Sequence, residues 1–282
     1  MRRLSYLLIL AAATWHVPGC QRAAADKGDA PGQETTKEMA KETAKNRTVA
    51  KGADQAPPGP RETAAAAALT QLGARVPLNE HGRVQSVELV GARISDAALA
   101  HLRGLSALES LEIGGGGVTG AGLANLQGLT SLEKLYLHDL KLTDAGLENL
   151  QGLTNLEALG LQNTRITGKG LAHLKKLADL RVLNLSQNPI SDAALANIEG
   201  LTELDTISVE NTKVSGAGLT HLKGLAKLRV LNLKNCDVAD KDLEQLVGLR
   251  NLKMLYLKGT KVDQEKIDAF KKKMASLAIF FY

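Results

Sequence analysis

From Val84 onward an apolar residue returns every 24 positions, at Val84, Leu108, Leu132, Leu156, Leu180, Leu204, Leu228 and Leu252. A whole pattern travels with that offset, and residues 154–168 (TNLEALGLQNTRITG) are a clean copy of it. Within each copy, the segment typified by Lys134-Leu135-Tyr136-Leu137-His138 alternates polar and apolar positions. That alternation predicts a short strand with leucines inward and the other side chains outward. The second half of each copy predicts a helix, because Leu147, Leu150 and Leu153 recur on one side. Ser95, Thr119, Thr143, Thr167, Ser191 and Ser215 stand where a helix N-cap is needed; such a cap is worth about 1 kcal/mol. Ala98, Gly122, Gly146, Gly170, Ala194 and Gly218 follow, where close packing to the next turn predicts a small residue.

Stacked copies would place their strands side by side in one parallel sheet, roughly 34 Å long for eight strands at about 4.8 Å spacing. Ahead of the first copy, residues 63–83 read as an N-terminal cap. It comprises a short helix from Thr63 to Leu72, a strand at Val76 to Leu78, and a turn at Asn79-Glu80-His81-Gly82. The copies run over 84–272. The last one drifts, with Lys273 where seven earlier copies have Leu. Residues 273–282 end in Leu277-Ala278-Ile279-Phe280-Phe281-Tyr282, which predicts a terminal strand closing the sheet edge.

The 24-residue length, together with Asp144-Ala145-Gly146-Leu147, Gln151-Gly152-Leu153-Thr154 and their relatives, resembles the bacterial leucine-rich repeat with Thr-Asp-x-Gly-Leu helix starts, related to the GALA type. The resemblance spans about two-thirds of the chain. It implies an α/β leucine-rich-repeat solenoid of eight repeats, a ribonuclease-inhibitor-like horseshoe with its sheet on the concave face. Members of that class are mostly interaction scaffolds. The F-box of GALA-type effectors has no counterpart, since residues 21–62 are too polar for a helical module.

The first 62 residues read differently. Arg2 and Arg3 precede an apolar run from Leu4 to Thr14, too short to span a bilayer and suited to a signal peptide over 1–19. Its end, Val17-Pro18-Gly19-Cys20, resembles the lipobox of bacterial lipoproteins. That resemblance implies lipid on Cys20, export, and a membrane anchor at the cell envelope; an ordinary secretory signal with an incidental cysteine is the alternative. Residues 20–62 are rich in Ala, Lys, Glu, Thr, Gly and Pro and bury too little to fold. As a flexible tether they would reach roughly 35 Å.

Composition narrows the function classes. Lys and Arg total 35 against 30 Asp and Glu, the two signs interleave, and aromatics are 3%. A nucleic-acid surface needs basic clusters with stacking aromatics, so none is expected. Cys236 falls in a repeat position that accepts Asn, Cys or Thr, which predicts a buried thiol without reactivity. No Ser-His-Asp order, HExxH, P-loop or CxxC is present, and Gly114 to Gly117 lack the lysine of a phosphate loop. His101, His173 and His221 share one repeat slot; the closer pair would be roughly 10 Å apart, too far to share a metal. No catalytic, metal or cofactor site is therefore expected, and the chain reads as a non-enzyme.

The candidate binding surface is the outward sheet face. One column holds Glu88, Glu112, Tyr136, Asn184, Asn232 and Tyr256; the next holds His138, Gln162, Ser186, Glu210, Lys234 and Lys258. Tyr136, His138, Asp139, Asn184, Asn232 and Tyr256 are the candidate ligand contacts, since Tyr and Asn combine area or hydrogen bonding with modest entropy cost. The four glycines read either as a notch beside Tyr136, His138 and Asp139 or as one degenerate repeat. Arg93, Lys141, Arg165, Lys213 and Lys261 line the sheet edge, to steer an acidic partner or simply as a solvated border. Asp96, Asp144, Asp192 and Asp240 alternate with Gly120, Gly168 and Gly216, a 48-residue period expected to place acids at helix N-termini. The expected function is a membrane-anchored scaffold binding a protein partner; a cell-wall polysaccharide module and a passive structural protein are the alternatives.

Overall fold

The computed structural model describes residues 57–91, 94–274 and 277–280. The signal segment, Cys20, most of the tether, Arg93, Phe281 and Tyr282 lie outside the described residues.

Helix α1 spans Pro60–Gln71. It begins three residues before the expected start, because proline at the first helical position needs no amide partner and already has helical φ. Residues 60–62 thus belong to the cap and not to the tether. Glu62 is buried there, accepting from the Val84 amide (2.8 Å) and from Nε of Arg83 (3.3 Å). The expected strand at 76–78 reduces to two antiparallel bridges, Arg75 with Glu88 and Leu78 with Val84. The turn between them closes as expected, with Oδ1 of Asn79 accepting from the His81 and Arg83 amides.

Nine strands then follow among the described residues: β1 Ser86–Val90, β2 Ser110–Gly114, β3 Lys134–His138, β4 Ala158–Gly160, β5 Val182–Asn184, β6 Thr206–Ser208, β7 Val230–Asn232, β8 Met254–Tyr256 and β9 Ala278–Phe280. They form one parallel sheet in chain order. The register advances by 24 at every step, from Val87 opposite Leu111 to Leu255 opposite Ile279. β9 is the expected terminal strand, pairing parallel with β8.

Behind the sheet, the expected helices are mostly 3-10 turns. Asp144–Leu150, Gly216–Leu222 and Asp240–Leu246 are of this kind, whereas α2 (Asp96–Leu99) and α3 (Asp192–Leu195) are single α turns. The strict i, i+3 spacing of Leu147, Leu150 and Leu153 suits three residues per turn. Within the described repeats a full helix forms at the last one, as α4, Gln264–Lys273. Lys273 is turned outward and bonds Glu244 of the preceding repeat. The core is a column of fully buried Leu, Ile and Val from Val84 to Leu257. Cys236 lies in it as expected: its Sγ donates to the Val209 carbonyl at 3.1 Å, and burial pushes its thiol pKa up.

The aspartate series does more than face a helix dipole. Asp96 accepts from the Thr119 amide and hydroxyl, both at 2.7 Å, and Asp192 accepts likewise from Ser215. Asp144 holds the amide (3.0 Å) and hydroxyl of Thr167, and Asp240 holds the Asp263 amide at 2.8 Å. Each carboxylate therefore bridges forward to the next repeat. A second bond runs backward: Asn149, Asn197 and Gln245 donate to the carbonyls of Gly120, Gly168 and Gly216 at 3.1, 3.1 and 2.9 Å. The repeats bearing Asp144 and Asp192 thus hold glycine-bearing neighbours on both sides, which accounts for the 48-residue period.

This arrangement also alters the expected caps. Thr119 and Ser215 accept from amides two residues on, but Ser95, Thr143 and Ser191 make no such bond. The small residues pack on the preceding turn rather than the next: a Cβ on Gly146 would stand 2.7 Å from Cα of Gly120.

Candidate binding surface

Strand register places Glu88, Glu112, Tyr136, Gly160, Asn184, Ser208, Asn232 and Tyr256 opposite one another, as the alternation requires. Their accessibility differs from the sequence expectation. Asn184 and Asn232 are 7% and 6% exposed. In both, Oδ1 accepts from an amide two residues on, Ser186 or Lys234. Nδ2 of Asn232 donates to Glu210 of the preceding repeat at 2.9 Å. These amides organise the sheet end and offer little to a ligand.

The two tyrosines are half-buried. The Tyr136 ring lies over Gly160, where a Cβ would come within 2.8 Å of Cδ1. Burial, with the nearby Glu112 charge, pushes its phenol up to about 12, so it stays a neutral donor at any physiological pH. Tyr256 is likewise raised by burial, and Nζ of Lys234 sits 5.2 Å from its ring centroid, within cation–π range.

His138 sits between two acids. Its Nε2 meets Glu112 at 3.1 Å and its Nδ1 meets Asp139 at 2.9 Å, while Nδ2 of Asn163 donates to Asp139 at 2.8 Å. The bond to Glu112 does most to raise the His138 pKa; burial opposes it and Asp139 adds to it. The glycine run makes room for this cluster. A Cβ on Gly114 would collide with the His138 ring, so the space is filled from within and does not form an empty notch there. Gly115 has φ +68°, the left-handed slot that Asp139, Asn163, Gln187, Asn211 and Asn235 occupy one repeat after another.

Two outward rows escape the sequence reading. One starts each strand: Ala158, Val182, Thr206, Val230 and Met254, of which Val182, Val230 and Met254 are half-exposed. The other forms the entry rim, a continuous backbone ladder through Gln85, Glu109, Glu133, Glu157, Arg181, Asp205, Arg229 and Lys253. It is acidic in its first half and mostly basic in its second. Asp205 sits within 3.7 Å of Arg229. Burial raises its pKa, against the pull of Thr206 and the two arginines. The 24-residue offset alone recovers this row; alternation does not, because Val84 and Val87 are both buried and the period of two breaks between them.

Leucine-rich-repeat family models match residues 130–190 and 224–247. A crystal structure of an internalin C2 from Listeria monocytogenes superposes with a TM-score of 0.59 at 23% identity, covering 84% of this chain and 100% of that one. An internalin (inlF) from the same organism gives 0.48 at 16% identity, covering 81% and 83%. A search of curated proteins finds no match. Register, core and the first of these likenesses define the chain as an α/β leucine-rich-repeat solenoid, an architecture that presents an extended binding surface.

Proposed function

We propose that this chain is a protein-binding scaffold of the cell envelope, held to a membrane through lipid on Cys20 and meeting its partner on the outward face of the sheet. The observation that carries this is the mixed character of that face. Half-exposed Tyr136, Val182, Val230, Met254 and Tyr256 supply apolar area, and charged rows border it. Aromatic anchors within a polar rim are the usual anatomy of a protein interface. A wall-polymer module would use the same Asn and Tyr columns, and the internal engagement of the Asn184 and Asn232 amides favours the protein-binding reading over it.

Cross-linking from envelope extract tests the face. A partner captured by the wild-type chain is expected to be lost on Tyr136→Ala/Tyr256→Ala; equal capture by both would move the site elsewhere. The anchor is tested separately by labelling with a radioactive fatty acid. Label is expected on the wild type and absent from Cys20→Ala, and an unlabelled wild type would remove the anchor.

A further inference from the structure

The charges of the sheet face reverse sign along the solenoid. From β1 to β4 and their rim, Glu88, Glu109, Glu112, Glu133, Asp139 and Glu157 stand against Lys134 and the Arg75 that pairs with Glu88. From β5 to β8 and their rim, Arg181, Arg229, Lys234, Lys253 and Lys258 stand against Asp205 and Glu210. The change of sign falls between neighbours, Glu157 and Arg181, midway along β1 to β8. Nε of Arg181 is buried with no hydrogen-bond partner among the described residues.

We propose that this face docks a second copy of the chain, turned end for end about a two-fold axis parallel to the strands. Such an axis sets each repeat against its counterpart from the other end while keeping each row opposite itself, as an isologous contact requires. Glu157 of each copy then faces Arg181 of the other, twice. Glu109 faces Arg229, and His138 faces Glu210. One opposition is unfavourable, Glu133 against Asp205. It is offset by Lys134 beside the first and Arg229 beside the second. The eight strands that find a counterpart give a face about 34 Å long and roughly 15 Å wide. A pair would bury about 1,000 Å² in total, at the lower limit for a specific interface. The dimer is therefore weak and salt-sensitive. This rests on the sheet face being the binding surface, and it names the partner.

Sedimentation equilibrium of the full chain tests it. Dimer is expected at low salt and monomer at high salt. Glu157→Lys alone and Arg181→Glu alone each put like charges together at both contacts, and each is expected to weaken dimerisation roughly tenfold. An equimolar mixture of the two restores opposite charges at both contacts, so a heterodimer as strong as the wild-type dimer is expected. Matching thermal unfolding of the variants separates docking from folding. A monomer at every concentration overturns self-docking, as does a dimer indifferent to both reversals. Either result leaves the heterologous reading standing if Tyr136→Ala/Tyr256→Ala still abolishes partner capture.

Discussion

His138 links two strands through charge. Glu112 lies on β2 and Asp139 just beyond β3, and the imidazole bonds both. Because its folded pKa is raised, this contribution to stability is fully present below the unfolded value of about 6.5 and is lost as pH rises through the folded pKa. The wild type is thus expected to lose denaturant resistance between mildly acidic and mildly basic pH, whereas His138→Gln is expected to lack that step. Urea midpoints over this range check it. Proton NMR of the imidazole should give a midpoint above the ordinary one, moving down in Glu112→Gln; an unshifted midpoint would remove the linkage. Histidine, carboxylates and glycines are all visible in the sequence here. Their union is not, because it depends on Gly114 leaving space for a ring 24 residues away.

At the scale of elements, the strands are legible and the turns behind them only partly so. Strand positions follow from alternation and the repeat offset, since a one-residue slip would expose every leucine. Helix type is harder to read: leucines three apart satisfy a 3-10 turn and one face of a short α-helix alike. The aspartates show the same limit. Their period is plain, but a carboxylate near a helix start has two uses, and only the contact from Asp144 to Thr167 and Gly168 distinguishes them. Burial pushes the Asp144 carboxyl up, and bonds from Thr167, Gly170 and Gly168 outweigh it, so its pKa is lowered. Its stabilisation is present above the ordinary carboxyl pKa and fades as pH falls through the folded value. Asp144→Ala leaves amides without their acceptor and is expected to cost about 1–3 kcal/mol. The loss should be largest near neutral pH and vanish in acid; chemical denaturation at several pH values measures it.

For the whole molecule, stability in a solenoid accumulates from neighbouring repeats. A chain shortened by 24 residues would then be expected to outlast one shortened by 48. The alternating clamps reverse that order. Removing 144–191 joins Thr143 to Asp192 and leaves the Asp192 repeat between the glycine-bearing repeats of Gly120 and Gly216. Removing 144–167 joins Thr143 to Gly168 and sets two glycine-bearing repeats together with neither clamp. The shorter protein is expected to have the higher Tm, which calorimetry reads directly.

The face that these clamps hold in place is the central claim. Its apolar rows and rim come from the same 24-residue register that builds the core. The decisive measurement is site-specific photocross-linking in envelope membranes. The photoreactive group is placed at Tyr136 or Val230 on the sheet face, and at Lys175 on the 3-10 layer behind it. Adducts from the two sheet positions and none from Lys175 are the expected result. Adducts confined to Lys175 would contradict the account.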